Sequence, residues 1–94
     1  DYVIEIGVEG PVDGVTGRVM APAALDALVR CEVIARYDQS DLNALPEFAA
    51  VPPTTENLAV AVEQRLVEKW PESWPRLDRI RIEETRRNRF ELRR

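Results

Sequence analysis

Hydrophobic and polar residues alternate at the start of the chain. The apolar positions are every second residue: Tyr2, Ile4, Ile6 and Val8. A period of two is typical of a β-strand with one buried face. The next stretch, GPVDGVTG, contains glycine, proline and aspartate, a composition typical of a loop. The pattern therefore predicts a first strand and then an irregular connection.

A helix is predicted over residues 22–37, PAALDALVRCEVIARY. Pro22 suits the first turn of a helix. Small and apolar residues recur at intervals of four, three and four: Ala24, Leu28, Cys31 and Ala35. This spacing puts them on one face and predicts that they pack inward. Cys31 lies on that stripe, so packing is its predicted role, with nucleophilic chemistry as the alternative.

A second helix is predicted after the prolines at 52–53. Thr54 is a natural N-cap, and Glu56 in the first turn suits the helix dipole. The helix should end near Trp70, because Pro71 follows. Its inward stripe is predicted to be Leu58, Val62 and Leu66.

The last part of the chain predicts two more strands. In RLDRIRIEET, Ile80 and Ile82 share a face, and Glu84 is the next residue on it; RFELR is the third strand. The order strand, helix, helix, strand, strand predicts one α+β domain over residues 1–94, with two helices packed on one face of an antiparallel sheet. Three strands leave two open edges, so we expect an upstream strand, an oligomer or both.

Composition narrows the function classes. Of the 94 residues, 45% are hydrophobic and 32% are charged, as in an ordinary soluble domain. No apolar run approaches the roughly 20 residues of a membrane helix, and one cysteine excludes an internal disulfide, so we expect a cytoplasmic protein without a membrane partner. The chain has no histidine. It therefore lacks the commonest metal ligand and general base, and we predict no metal ligand within it.

Charge is distributed unevenly. The net charge is −4, but residues 76–94 contain eight arginines and four acidic residues, a local +4 that leaves −8 for the rest. An acidic body argues against a nucleic-acid partner. The arginines of the basic end either form a solvated strand face or bind a small phosphorylated ligand, for which Arg86, Arg87 and Arg89 are candidates.

Three groups of residues could form a site. Glu84 places a carboxylate on an apolar strand face, where it needs partners. It could accept two parallel N–H bonds from a flat heterocycle such as a pterin, or it could be solvated at a fraying strand end. Thr54 and Thr55 either cap a helix or line a ligand site at its N-terminus. Asp38, with the residues after it, reads as a turn between helices.

Four motifs resemble the 6-pyruvoyl-tetrahydropterin synthase family, which includes 6-carboxytetrahydropterin synthase. DYVIEIGVEGPVDGVTGRVM is similar to the family's second strand and the loop after it. ARYDQSDLNALPEF is similar to its helix-end segment with an Asp-His pair, PTTENLAV to its Thr-Glu-Asn helix start, and IEET to its strand-end Glu-Thr. Each motif is weak alone, but the four occur in the family's order and spacing over nearly the whole chain.

The resemblance implies a T-fold, in which subunits join their sheets into a barrel. It implies a homo-oligomer, a trimer or hexamer, with sites between subunits. The substrate would be a pterin, usually dihydroneopterin triphosphate, bound by the strand-end glutamate, here Glu84, with Thr54 and Thr55 lining the pocket. Family enzymes also use zinc held by three histidines, a catalytic cysteine and the Asp-His pair, in which Asp38 takes the aspartate position.

Two departures from the family pattern stand out. The family's histidines and cysteine belong upstream of the matched region, so we expect that a first strand and a zinc-binding segment precede this chain. Gln39 is inside the match, where the family has histidine. An amide cannot accept and return a proton, and losing one acid-base group costs roughly 10²–10⁴-fold in rate. Ala21 and Pro22 also replace the family's acidic or amide residue after Met20.

Two functions are therefore expected. The first is a zinc-dependent carbon–oxygen or carbon–carbon lyase of the 6-pyruvoyl or 6-carboxy-tetrahydropterin synthase type, in tetrahydropterin or deazapurine biosynthesis. The second is a non-catalytic T-fold subunit that binds a pterin or serves as a scaffold. Gln39 favours the second function, and the four motifs in register favour the first.

Overall fold

The computed structural model describes residues 2–11, 14, 17, 19–38, 41–84 and 88–94, without the side chain of Asn88. The described strands form one antiparallel sheet in the order β1-β2-β3. Their bounds are β1, Tyr2–Glu9; β2, Arg76–Glu84; and β3, Asn88–Arg93. The helices are α1, Pro22–Val29; a π-helical turn, Arg30–Ile34; α2, Ala35–Tyr37; and α3, Thr55–Lys69. Two 3-10 turns lie between α2 and α3: Leu42–Ala44 and Pro46–Phe48.

Opposed residues on the strands form an apolar row. Ile4 lies opposite Ile82, which lies opposite Phe90; in the next row Ile6, Ile80 and Leu92 face each other. Opposed residues in antiparallel strands share a face of the sheet. The predicted strands and their inward faces are therefore confirmed, and Ile80 and Ile82 are fully buried.

A β-bulge changes the register near the start of β2. Gly7 pairs with Arg79, but Val8 pairs with Leu77, so Asp78 is an extra residue on β2. Side chains alternate between faces along a strand, and the extra residue restores Leu77 to the core face. Leu77 is consequently only 3% exposed.

Helix α3 begins and ends where the sequence predicts. Thr54 is its N-cap and Trp70 its C-cap, and the Thr54 hydroxyl oxygen accepts a hydrogen bond from the Asn57 N–H at 3.1 Å. The predicted stripe is confirmed as buried, and two alanines are buried beside it: Leu58, Val62, Leu66, Ala59 and Ala61. None of the helices in the described ranges is long and apolar enough to cross a membrane.

Removal of the cap should weaken α3. Thr54→Ala is expected to lower the free energy of unfolding by about 1 kcal/mol, because the Asn57 N–H loses its acceptor. Thr54→Asn should restore most of the loss, since an asparagine oxygen caps equally well. Urea unfolding of both variants measures the difference. Equal losses in the two variants would contradict the cap assignment.

The predicted inward stripe of the first helix is wrong. Ala24, Cys31 and Ala35 are exposed, and Leu28 is half-buried. The residues that reach the core are Val33 and Tyr37, with Val29 half-buried one step earlier. Their constant spacing of four exceeds the 3.6 residues of an α-helical turn. The wider π-helical turn at Arg30–Ile34 keeps this row on one face. The expected packing role of Cys31 is therefore wrong as well.

The two helical segments cover the same face of the sheet. Helix α3 contacts β2 and β3, and the π-helical turn contacts α3. The Arg65 guanidinium donates from Nε to the Glu32 carbonyl at 2.7 Å, which ties α3 to that turn. Side chains from both segments and from β2 form one core cluster, so the predicted α+β arrangement is confirmed.

The other face of the sheet carries charged residues and no described helix. Arg81 lies 3.5 Å from Glu5 across the strands, and Arg93 lies 2.9 Å from Glu91. The Arg79 side chain lies over Gly7: a Cβ on that glycine would be 3.2 Å from both Cβ and Nε of Arg79. The glycine therefore leaves room for the arginine to lie close against the strand.

Candidate functional site

Glu84 ends β2 on the core face of the sheet. Its backbone pairs with Tyr2 of β1 on one side and with Asn88 of β3 on the other. The strand therefore remains paired through Glu84, whose side chain is half-buried. Burial and, to a smaller extent, the negative charge of Glu84 raise the pKa of Tyr2. The Tyr2 phenol thus stays protonated at neutral pH close to this carboxylate.

The first turn of α3 lies toward the same end of the sheet as Glu84. Arg94 follows β3, and its N–H donates to the Asp78 carbonyl near the start of β2. The Arg94 guanidinium also pairs with Glu63, midway along α3, at 3.1 Å. Since a short connection joins the end of α3 to the start of β2, the helix and the strand run in opposite directions. The Thr54 end of α3 therefore points toward the Glu84 end of β2.

The cap bond at Thr54 leaves hydrogen-bonding groups on both Thr54 and Thr55 available to a ligand. A hydroxyl carries one donor hydrogen and two acceptor lone pairs, and the cap bond uses one lone pair of Thr54. The first N–H groups of a helix have no acceptor within the helix. Thr54 is exposed and Thr55 is half-buried. Hydrogen-bond donors are thus directed outward at this end of the domain.

Asp38 is placed at the end of α2. Its N–H donates to the Ile34 carbonyl at 2.9 Å, its backbone is extended, and its side chain is exposed. Asp41 caps the following 3-10 turn by accepting from the Asn43 N–H at 3.1 Å, a bond that fits the turn predicted after Asp38. Gln39, which stands where the family has the histidine partner of Asp38, lies outside the described residues, as do Arg86 and Arg87.

The candidate residues therefore fall into two groups. Glu84, Thr54 and Thr55 belong to one end of the sheet. Among the described residues, no hydrogen bond or ion pair joins Asp38 to that group. Within one chain, Asp38 therefore lies on a different segment from the other three candidate residues.

A polar cluster that the sequence patterns do not indicate lies beside Asp38. Arg36 donates from Nε and from a terminal nitrogen to the two Glu47 oxygens at 2.7 and 2.6 Å, and the Tyr37 hydroxyl donates to Glu47 at 2.6 Å. The hydrogen bond from Arg36 is the main cause that lowers the pKa of Glu47 to about 2. Burial, followed by the hydrogen bond to Glu47, raises the pKa of Tyr37 to about 12. In this cluster, Tyr37 and Arg36 lie ten and eleven residues before Glu47. No helical or strand period relates positions that far apart.

The residues of this chain do not fit a zinc site. The sequence has no histidine and one cysteine. In the described ranges, no three histidine, cysteine, aspartate or glutamate side chains come together as a metal site would need. Structural and catalytic zinc sites need at least three such ligands. The zinc prediction therefore concerns histidines outside this sequence.

A cavity of about 420 Å³ lies at the opposite end of the sheet, near the start of β2. Trp70 and Trp74 line it, with ring centroids 5.1 Å apart in an edge-to-face arrangement. The Trp70 indole N–H is already bonded to the Pro75 carbonyl at 2.9 Å. None of the predicted site residues within the described ranges lines this cavity, so it is treated separately from the candidate site.

The fold and the Glu84 end define a class of protein: an α+β domain that presents a strand-end carboxylate and a helix N-terminus at one end of an antiparallel sheet. A family model described as 6-pyruvoyl tetrahydropterin synthase matches residues 1–94. The chain belongs to this family, and its sheet and helices are those of the T-fold.

Two curated relatives agree with this assignment. The chain is 37% identical over 89 residues to a 6-pyruvoyl tetrahydrobiopterin synthase from Poecilia reticulata, a match that covers 94% of this chain and 59% of the relative. It is 38% identical over 91 residues to a protein of the same name from Drosophila melanogaster, covering 94% of this chain and 52% of the relative. The chain thus spans about half the length of the curated relatives it matches.

Proposed function

We propose that the full protein is a pterin-processing enzyme of the synthase type, acting on dihydroneopterin triphosphate or a related pterin in tetrahydropterin or deazapurine biosynthesis. The observation that carries the proposal is Glu84, a half-buried carboxylate at the end of β2 on the apolar face. The family resemblance implies that a glutamate at this position binds the pterin ring. The names of the two curated relatives support the same chemistry.

Ring recognition follows from the chemistry of the carboxylate. The two Glu84 oxygens would accept parallel hydrogen bonds from the ring N–H and the exocyclic amine of a pterin. Thr54 and Thr55 would donate to acceptors on the ring. The protonated Tyr2 phenol lies opposite Glu84, where its ring would shield the carboxylate from water and its hydroxyl would supply a further donor.

The reaction assigned to the full protein is a lyase reaction. Asp38 would occupy the aspartate position of the family's acid-base pair. Gln39 could hold a hydrogen bond there but could not carry a proton. We assign no step through zinc, because the ligands it needs are not among the residues of this chain.

Direct binding tests the proposal. The full-length protein, loaded with zinc, should bind dihydroneopterin triphosphate in isothermal titration calorimetry and release triphosphate from it. Related pterins and a guanine nucleotide serve as comparison ligands, because they present the same edge to a carboxylate. Failure to bind or turn over any pterin or purine would overturn the proposal.

Restoring the family histidine is expected to raise activity. Gln39→His should increase kcat by roughly 10²–10⁴-fold, since it returns a group that can accept and release a proton. A pH profile of kcat should gain a titration near neutrality in the variant. Gln64→His, the same exchange at an exposed position of α3, is the matched control.

Absence of turnover in both the wild type and Gln39→His, together with normal pterin binding, would contradict the catalytic proposal. That result would favour the non-catalytic alternative, in which the subunit keeps the pocket without the chemistry. A rise in kcat in Gln64→His of equal size would show that the effect does not depend on the Asp38 segment.

The proposal includes a cytoplasmic homo-oligomer, a trimer or hexamer. Among the described strands, β1 and β3 are at the edges of the sheet, and open edges are covered or paired in soluble proteins. Native mass spectrometry of the full-length protein measures the subunit number. A monomer would remove the intersubunit site from the proposal.

A further inference from the structure

We propose that Glu47, held by Arg36 and Tyr37, is a positioning residue that fixes the direction in which Asp38 leaves helix α2. We call these three residues the Glu47 clamp. The inference rests on the proposed function for its catalytic consequence, but its structural part can be measured independently. The clamp acts through Asp38 and is not assigned any contact with a pterin.

Two side chains, Arg36 and Tyr37, donate hydrogen bonds to the Glu47 carboxylate. Arg36 donates one hydrogen bond to each Glu47 oxygen, at 2.7 and 2.6 Å, and the Tyr37 hydroxyl donates a third at 2.6 Å. A fork of this kind restricts orientation as well as distance. Both side chains of the ion pair are largely shielded, with exposures of 29% for Arg36 and 20% for Glu47. Shielding reduces the screening that weakens exposed ion pairs.

The clamp holds together the two ends of the segment that contains Asp38. Residues 38–46 lie between Tyr37 and Glu47, so the bonds of the clamp join the two ends of this segment. Phe48, which is buried, meets the Tyr37 ring edge-to-face at 6.4 Å between centroids. Asp38 follows Tyr37 directly, so any tilt of Tyr37 passes to Asp38 through one planar peptide. Holding the ends of a loop together reduces the range of directions open to its residues.

The Tyr37 hydroxyl distinguishes positioning from packing. The ring of Tyr37 is 9% exposed and lies in the core, where a phenylalanine ring would fill the same space. The hydroxyl adds no apolar area, but it supplies a bond to Glu47. This bond fixes the position of Glu47 relative to Tyr37, which ends α2 and directly precedes Asp38.

The charge state of the clamp does not change near neutral pH. The pKa of Glu47 is lowered to about 2 and the pKa of Tyr37 is raised to about 12. For Glu47, a lowered folded-state pKa means that the stabilisation is fully present above its ordinary value of 4.5 and is lost as pH falls through about 2. The clamp is therefore a permanent restraint, so it contributes no titration to a kcat profile between pH 5 and 9.

The test uses the full-length protein with two substitutions and one control. Glu47→Gln keeps the size of the side chain but removes its charge, and Tyr37→Phe removes one hydroxyl. Glu63→Gln is the control, because Glu63 is also a partly shielded glutamate, 3.1 Å from its arginine. It lies on α3, away from the Asp38 segment.

Three readouts separate positioning from general destabilisation: amide exchange, kcat and the pterin Kd. Amide hydrogen exchange over residues 38–45 should become at least tenfold faster in Glu47→Gln and less so in Tyr37→Phe. With dihydroneopterin triphosphate as the probe, kcat should fall about 10- to 100-fold in Glu47→Gln, as expected for a small misplacement of a reacting group. The pterin Kd should stay within twofold, because Glu84 and the threonines are untouched. Glu63→Gln should leave all three readouts unchanged.

Each outcome decides the proposal. Unchanged exchange over residues 38–45 in Glu47→Gln overturns it, whatever happens to kcat. A parallel loss of kcat and pterin affinity, with faster exchange over the whole chain, also overturns it, since that pattern is general unfolding. If the wild-type protein binds no pterin, the proposed function fails, and the exchange experiment alone still decides whether Glu47 orders the Asp38 segment.

Discussion

Glu84→Gln is expected to weaken the binding of dihydroneopterin triphosphate by the full-length protein roughly 100-fold. Hydrogen bonds to a charged group are worth about 1.5–3 kcal/mol each, and two such bonds are proposed between Glu84 and the pterin ring. The amide would present one acceptor and one donor, so one ring N–H would face another donor. The position of the side chain should not change, because β2 is paired on both sides at this residue.

Titration calorimetry with Glu83→Gln as the control measures this effect. Glu83 is the neighbouring glutamate of β2 and points to the uncovered face of the sheet, since side chains alternate along a strand. The Glu83→Gln variant should bind the pterin with the same affinity as the wild-type protein. Equal affinity in all three proteins would contradict the assigned role of Glu84, and an equal loss in both variants would indicate a general charge effect.

Leu66→Ala is expected to cost about 2–5 kcal/mol of the free energy of unfolding. Leu66 is fully buried between α3 and the sheet, so its truncation removes apolar contacts and leaves a cavity. Folded domains are stabilised by about 5–15 kcal/mol in total. The variant should therefore unfold at a clearly lower urea concentration.

Val67→Ala provides the comparison for Leu66. Val67 is the next residue of the same helix but is 42% exposed, so its truncation should cost well under 1 kcal/mol. Helix propensity does not explain the difference, since alanine is the best helix former at either position. Similar midpoints for the two variants would contradict the inward orientation of the Leu58, Val62 and Leu66 stripe.

The strands and α3 were predictable because one local signal dominates in each. A period of two in Tyr2–Glu9 and in residues 80–84 identifies the core faces of β1 and β2. Thr54, the prolines before it and Pro71 mark both ends of α3. Local patterns and tertiary packing agree in these elements, so the sequence is sufficient to predict them.

The first helix was predicted in extent but not in orientation. Its sequence offers two rows of small and apolar residues, one that includes Cys31 and one that includes Val33 and Tyr37. Regular α-helical spacing favours the first row. The π-helical turn at Arg30–Ile34 favours the second, and such a turn has no reliable signature in a single sequence.

The candidate site was only partly predictable for a related reason. Glu84 could be singled out because a carboxylate interrupts an apolar strand face, and Thr54 because it begins a helix. The Glu47 clamp joins residues ten and eleven positions apart through an irregular segment. Such contacts depend on how the chain turns between them, which periodicity does not describe.

The close approach of Arg79 to Gly7 has a consequence for how this sheet can vary among relatives. A Cβ at position 7 would lie 3.2 Å from the Cβ and the Nε of Arg79, so the arginine would have to shift by a few tenths of an ångström. The two positions are therefore not free to change independently. A homologue with a larger residue in place of Gly7 should carry a shorter or reoriented side chain opposite it, and an alignment should show the two columns changing together.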